Sequence, residues 1–264
     1  MPHVSIKDEN IFYELNDSNA GPSLILIHGS GGDHTHWPPA LRNLSSAGVY
    51  ALDLPGHGNS SGTGRRNVDE YADVVERFIH SLNLSSVILA GHSLGGAIAQ
   101  TLALRAPEWL TGLILVGTGA RLRVVPEFLQ GFRTDFQAAA QALTDWLFSD
   151  TTPIDLKMST EKKLLATDPD VVIGDFTACA GFDIMDRVSE IHLPTLVISA
   201  DKDKLTPIKY GQFLCEQIRD AQHTIIGGAG HMMALEASEA FVQAIGNFIE
   251  SHKAVLTPLS PFQQ

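Results

Sequence analysis

The stretch that decides the fold is VILAGHSLGGAIAQ, Val87 to Gln100. Val87–Ala90 is an uninterrupted apolar run, as expected of a strand buried on both faces of a parallel sheet. Gly91, Ser93 and Gly95 follow in a G-x-S-x-G pattern, and an alanine-rich run of helical character comes next. A strand that passes directly into a helix must turn sharply at Ser93. The flanking glycines stand where any Cβ would collide with the neighbouring strand or helix, and the turn pushes the hydroxyl out at the carboxyl edge of the sheet. The helix that follows aims its first amide groups at the same spot, which favours negative charge developing there. The Leu94 N–H is one of these groups, and so a candidate half of an oxyanion hole.

Outward from this junction, strands alternate with helices. SLILIHG (Ser23–Gly29), LILVG (Leu113–Gly117) and TLVISA (Thr195–Ala200) are short apolar runs that each end on a small residue, and Ala221–Ile226 reads as another strand. Val68, Tyr71, Val74, Val75, Phe78, Ile79 and Leu82 recur at helical spacing, with Asn67 and Glu70 as a cap. The opening VSIKDENIFYEL reads as two short strands around a turn at Asp8–Asn10. This alternation implies an α/β fold, a mostly parallel doubly wound sheet. Residues 120–188 break the rhythm: aromatic and aliphatic residues recur at helical spacing, divided by Pro153 and the TDPD turn at Thr167–Asp170. An inserted helical cap over the carboxyl edge of the sheet is expected there. Residues 1–119 and 189–253 would form the core, and 254–264 a loose tail.

Composition narrows the function classes. The chain has 264 residues, enough for one sizeable α/β domain, with 44% hydrophobic and 18% charged residues. A formal net charge of −12 argues against nucleic acid or an anionic membrane surface as a partner. MPHVSIKDEN has neither a basic nor an apolar leader region, and no apolar run is long enough to span a bilayer. Cys179 and Cys215 are far apart, without metal-ligand spacing. A cytoplasmic protein with no membrane insertion is the expectation. His34 and His36 form an H-x-H pair beside Asp33, but no further ligand pattern accompanies them, so no metal is expected.

A serine hydroxyl is a poor nucleophile unless a base and an orienting acid serve it. LVISADKDKLTP supplies Asp201 and Asp203 just after a late strand, and IIGGAGHMMALE supplies His231 in a glycine-rich loop. With these, the chain resembles the α/β-hydrolase-fold superfamily, in particular its capped serine carboxylesterase and lipase-like group. HGSGG (His28–Gly32), DLPGHGNS (Asp53–Ser60), GHSLGG and GGAGHMMALE each match a family loop, and the resemblance covers nearly the whole chain.

The resemblance implies Ser93 as nucleophile, His231 as general base and then acid, and an aspartate that orients it. The family's small-x-x-Asp pattern with a following proline, here Ala200 to Asp203 and Pro207, selects Asp203, with Asp201 as runner-up. It also implies a second oxyanion donor just after His28-Gly29, Ser30 first and Gly31 second. His28, His57 and His92 read as structural. Trp37, Phe128, Phe132, Trp146, Phe182 and Met232 are the candidates for lining an apolar substrate pocket. Arg121, Arg123 and Arg133 suggest either a carboxylated substrate or a solvated helix face. The reaction implied is hydrolysis of small to medium carboxylic esters, with no cofactor and with a homodimer as an option. A lactonase, a thioesterase, a C–C bond hydrolase and a non-enzymatic small-molecule receptor remain as alternatives. Serine in place of aspartate at the turn argues against dehalogenase and epoxide-hydrolase chemistry.

Overall fold

The protein is described from a computed structural model, covering residues 2–18 and 21–256. The first part of the chain comprises β1 (His3–Ile6), β2 (Glu9–Asn16), β3 (Ser23–Ile27), α1 (Pro39–Arg42), β4 (Gly48–Leu52), α2 (Val68–Ser81), β5 (Val87–His92) and α3 (Leu94–Leu104). Next, β6 (Leu110–Val116) leads into α4 (Pro126–Thr134), α5 (Phe136–Leu147), α6 (Ile154–Ala166) and α7 (Pro169–Gly181). The chain returns through β7 (Thr195–Ala200), α8 (Lys209–Gln217), β8 (Ala221–Ile226), α9 (Met233–Glu236), α10 (Ser238–Ser251) and α11 (Lys253–Leu256).

Eight strands form one sheet in the order β1-β2-β4-β3-β5-β6-β7-β8. Only the β1–β2 and β2–β4 pairs are antiparallel; the other five pairs are parallel. Every residue of β5 and β7 is buried, which explains why their sequences carry no polar alternation. The edge strand β8 is half-exposed and correspondingly mixed in sequence. One apolar cluster joins the sheet to α2 and α3 through Tyr71, Phe78, Ala97 and Ile98; a second joins the other face to α10 through Phe241, Ile245 and Phe248. The chain is therefore an α/β-hydrolase fold, a mostly parallel sheet covered by helices on both faces.

Between β6 and β7 the chain is helical, as its periodicity implies. Pro153 precedes α6, and Thr167 and Asp168 separate α6 from α7. Asp135 makes a further break: it ends α4, and its side chain accepts from Ala138 N–H at 3.0 Å to start α5. These helices share an apolar cluster of their own around Phe132, Leu143, Leu164 and Val172. The cap of α2 is also made locally, Asn67 accepting from Asp69 N–H at 2.8 Å. The tail needs a correction. It does not loosen at 254, because α11 carries Leu256 into the α10 side of the core, where its carbonyl accepts from Ser86 Oγ. Residues 257–264 lie outside the described ones. Among the described residues, no helix is long and apolar enough to cross a membrane.

Candidate active site

Ser93 sits between β5 and α3 with φ +54° and ψ −113°, a conformation that L-residues seldom hold. The chain tolerates it because the residues two before and two after it have no side chains. A Cβ on Gly91 would lie 2.1 Å from the Gly95 carbonyl oxygen, and one on Gly95 would lie 2.1 Å from that of Ile27. The turn is pinned on both sides: Ser93 N–H donates to Val116 O at 2.9 Å, and Thr118 Oγ1 donates to Ser93 O at 2.9 Å. These bonds tie the serine to the end of β6.

His231 reaches the same place from the loop after β8. Met232 N–H donates to Leu147 O at 3.0 Å and Gly230 N–H to Glu236 at 2.9 Å, so the loop is held by α5 and α9. Gly117, at φ +49°, leaves room for the imidazole; a Cβ there would stand 3.3 Å from His231 Cε1. His92, next to Ser93, lies under this ring with centroids 4.6 Å apart and donates through Nε2 to the His231 carbonyl at 3.1 Å. Burial, with His231 close by, holds the His92 pKa well below the ordinary value, so it is a neutral support.

The acid beside His231 is Asp203. Its Oδ2 is 2.8 Å from His231 Nδ1 and accepts from Thr206 Oγ1 at 2.7 Å; its Oδ1 accepts from the N–H groups of Leu205 and Thr206 at 2.9 and 2.8 Å. Burial by itself would raise the Asp203 pKa. The His231 imidazole and the Thr206 hydrogen bonds outweigh it and hold the carboxyl well below the usual carboxylate range. Asp201 has a different setting: it pairs with exposed Lys202 at 3.0 Å and accepts from Gly228 N–H. The structure therefore puts Asp203, and not Asp201, against the histidine.

The turn after β3 completes the site. Gly32 N–H donates to Gly29 O at 3.1 Å, and Gly31 adopts φ +64°. Gly31 N–H donates to Asp175 Oδ2 at 2.8 Å, so it is already engaged. Among the described residues, the N–H groups of Ser30 and Leu94 donate to no protein acceptor. Of the two glycine-turn candidates, Ser30 is the one with a free donor. A Cβ on Gly29 would lie 3.2 Å from Ser93 Cβ, which places this turn beside the serine.

A family model described as the alpha/beta hydrolase family matches residues 24–244. The chain belongs to the alpha/beta hydrolase family. At that coarse level it is a hydrolase. A solved thermophilic esterase is 33% identical, with a TM-score of 0.83 over 95% of this chain and 97% of its own. The 2-hydroxy-6-oxononadienedioate/2-hydroxy-6-oxononatrienedioate hydrolase of Paraburkholderia phymatum is 30% identical over 89% of each chain. The dihydrolipoyllysine-residue acetyltransferase component of the acetoin cleaving system of Pseudomonas putida is 29% identical over 91% of this chain. The hydrolase spans only 66% of that longer protein.

His28, His34 and His36 are structural in their contacts. His28 is buried; its Nε2 accepts from Leu54 N–H at 3.0 Å, and burial lowers its pKa to about 4. His34 turns its Nδ1 to buried Asp53 at 2.8 Å, whereas His36 is buried under Gly32 with its pKa lowered by burial to about 4. The two rings thus serve different neighbours.

The pocket candidates separate. Trp37 is 1% exposed and packs against Phe241 at 6.1 Å, inside the core on the α10 side. Phe182 lies in the core on the α2 and α3 side. Trp146 is 54% exposed and so lines no enclosed pocket. In sequence an aromatic ring looks the same whether it fills a core, a cleft or the surface, and the candidates spread over all of these settings. Phe128 and Phe132 meet edge to face at 4.9 Å in the helical cluster, and Met232 is buried beside His231. Arg121 and Arg123 share a separate cleft of about 440 Å³ with Lys209, Tyr210 and Phe213, while Arg133 lies apart on α4. Two site residues have no counterpart in the sequence reading: Thr206, which holds Asp203, and Asp175, which holds the glycine turn.

Proposed function

We propose that this hydrolase cleaves small to medium carboxylic esters through Ser93, His231 and Asp203. One observation carries the reading: a strained, glycine-flanked Ser93 shares its corner of the sheet with a buried His231–Asp203 pair at 2.8 Å. That set of groups does acyl transfer.

In the proposed cycle His231 takes the Ser93 proton as Oγ bonds to the acyl carbon. The carbonyl electron pair moves onto oxygen, and the N–H groups of Ser30 and Leu94 stabilise that charge. As the tetrahedral species collapses, the C–O bond to the alcohol breaks and the alcohol leaves with the proton from His231. Water then gives a proton to the same imidazole and attacks the acyl-enzyme, which releases the acid and returns the proton to Ser93. Asp203 accepts from Nδ1–H throughout and so keeps Nε2 as the basic nitrogen. Every step uses the chain's own groups and water.

The segment 120–188 acts as a cap in this reading. Its aromatic cluster includes Phe128, Phe132, Phe136 and Phe176, and Leu205, two residues from Asp203, packs against it. An apolar wall next to the acid loop suits an ester with an apolar acyl or alcohol part. The test is hydrolysis of p-nitrophenyl esters from acetate to dodecanoate by wild type and Ser93→Ala, with lactones, thioesters and dienoic ketones in the same panel. Multiple turnover of an ester, lost in Ser93→Ala, is the expected result. Ester turnover that survives Ser93→Ala, or turnover confined to the dienoic ketones, contradicts the proposal.

A further inference from the structure

Asp175 is a fully buried carboxylate in the middle of α7, far in sequence from everything it bonds. Its Oδ2 accepts from Gly31 N–H at 2.8 Å and from His57 Nε2 at 2.9 Å, and its Oδ1 accepts from the Tyr71 hydroxyl. Tyr71 in turn accepts from Arg65 N–H at 2.9 Å. One carboxylate thus joins the helical segment to the turn after β3, the loop after β4 and helix α2. Nothing in the ester cycle above uses it.

Both nitrogens of His57 face acceptors, Asp175 at Nε2 and the Pro55 carbonyl at Nδ1 at 3.0 Å. The ring therefore donates twice, as an imidazolium does. Burial opposes that charge, but the Asp175 carboxylate outweighs it and the His57 pKa is raised. The result is a buried ion pair whose negative end grips a single backbone N–H of the turn.

That grip bears on the reaction. Gly29 to Gly32 close a tight turn, and Gly31 is left-handed at φ +64°. Such a peptide has several accessible orientations, because glycine resists few of them. The Asp175 bond selects one. Above the turn sit Leu164 and Val172; a Cβ on Gly31 would lie 2.5 Å from Leu164 Cδ1 and 3.6 Å from Val172 Cγ2. With Gly31 N–H engaged, the neighbouring Ser30 N–H is the one left to face substrate.

We infer that Asp175 is a positioning residue for the oxyanion hole: from the cap, it anchors the turn at the Gly31 N–H and so holds the adjoining Gly29–Ser30 peptide with its Ser30 N–H pointed at the developing oxyanion. The inference rests on the proposed ester cycle, and it makes the cap part of the catalytic apparatus as well as a cover. Because charge on the carbonyl oxygen builds up only on the way to the transition state, a misaligned donor costs turnover and leaves substrate binding nearly intact.

Asp175→Ala is the natural probe. It removes the acceptor of the Gly31 N–H outright, whereas an amide could keep its oxygen on Gly31 N–H and His57 and turn its –NH2 to the Tyr71 hydroxyl, which can accept. Tyr71→Phe is the control: it removes one bond to the same buried carboxylate and leaves the Gly31 contact in place. Asp175→Ala is expected to lower kcat about 10- to 100-fold with KM within about threefold. Tyr71→Phe is expected to keep kcat within about threefold even though its denaturation midpoint also falls. Amide hydrogen exchange supplies a readout that needs no substrate. In wild type the Gly31 amide exchanges as slowly as the interior of α7, and Asp175→Ala speeds it about tenfold or more.

Several results overturn the inference. Fast Gly31 exchange in wild type does so even if Asp175→Ala fails to fold. Unchanged kcat in a folded Asp175→Ala does so, as does an equal loss of kcat in Tyr71→Phe. Fluorophosphonate labelling of Ser93 in wild type keeps the two readings apart. If Ser93 is labelled and Asp175→Ala keeps its kcat, only this inference fails. If Ser93 is neither labelled nor needed for turnover, the ester cycle fails, and the positioning role fails with it.

Discussion

Replacing Asp203 by asparagine tests the site through proton placement alone, since the side chain keeps its size and shape. The hydrogen bonds determine how the amide must sit. Oδ1 accepts from the backbone N–H groups of Leu205 and Thr206, so the amide oxygen stays there; turning the –NH2 toward two fixed donors would leave all three unsatisfied. The –NH2 then occupies the Oδ2 position, 2.8 Å from His231 Nδ1. A donor facing Nδ1 forces that nitrogen to accept, and the ring proton moves to Nε2, the nitrogen that must take the proton from Ser93. Geometry survives and the base is lost. The expected drop in kcat is about 10⁴-fold, or roughly 5.5 kcal/mol of transition-state stabilisation. Asp201→Asn, whose side chain pairs with Lys202 and accepts from Gly228 N–H away from the histidine, should stay within about twofold of wild type. Steady-state kinetics on the best p-nitrophenyl ester decides between them, with circular dichroism to confirm that both variants fold. An Asp203→Asn enzyme within tenfold of wild type refutes the reasoning, and so does a larger loss in Asp201→Asn.

Other consequences follow from the same contacts. Ser30→Ala should keep kcat within about threefold, because the proposed donor is a backbone group; a hundredfold loss would assign the work to the side chain. Gly95→Ala drives a Cβ to 2.1 Å from Ile27 O, backbone against backbone, and should destabilise the fold by about 3 kcal/mol or more in urea melts; an unchanged midpoint contradicts that packing. Acid should weaken the fold through His36, whose pKa falls from 6.5 to about 4 on folding. A depressed histidine leaves the unfolded chain binding more protons between those values, so its contribution is complete above pH 6.5 and is lost as the pH falls toward 4. A drop of that size corresponds to about 3 kcal/mol. His57 has the opposite sign, its raised pKa favouring the fold at low pH and losing that contribution as pH rises. His36→Leu should therefore narrow the gap in urea stability between pH 7 and pH 4.5; an unchanged gap contradicts a buried, neutral His36.

Much of this was legible because it is local. The Gly91–Ser93–Gly95 turn is written in consecutive residues, and steric exclusion at two of them leaves little choice of geometry. The β3, β5, β6 and β7 runs are apolar because both faces of the sheet are covered. Strand β4 carries the half-buried Tyr50 amid small and apolar residues, so periodicity alone did not single it out. The setting of each aromatic candidate was not legible, for a different reason. Burial of Trp37 and Phe182 and exposure of Trp146 depend on which way a helix or loop faces, which composition does not encode. Asp175 is the clearest case of a long-range contact: it lies 118 residues from His57 and 144 from Gly31. Its only signal was a lone carboxylate in the apolar run VVIGDF, on a helix where a free charge has no place to go. Leu256 was hidden in the same way, a single apolar anchor in a stretch that otherwise reads as a tail.

The central claim is that Ser93 carries the acyl group, and covalent trapping tests it most directly. Wild type quenched in acid during turnover of a p-nitrophenyl ester should gain the mass of one acyl group, and peptide mapping should place it on Ser93. The adduct should accumulate in a burst with the first equivalent of p-nitrophenol and should be absent from Ser93→Ala. Turnover without an adduct on Ser93, together with undiminished rates in Ser93→Ala, would contradict the account.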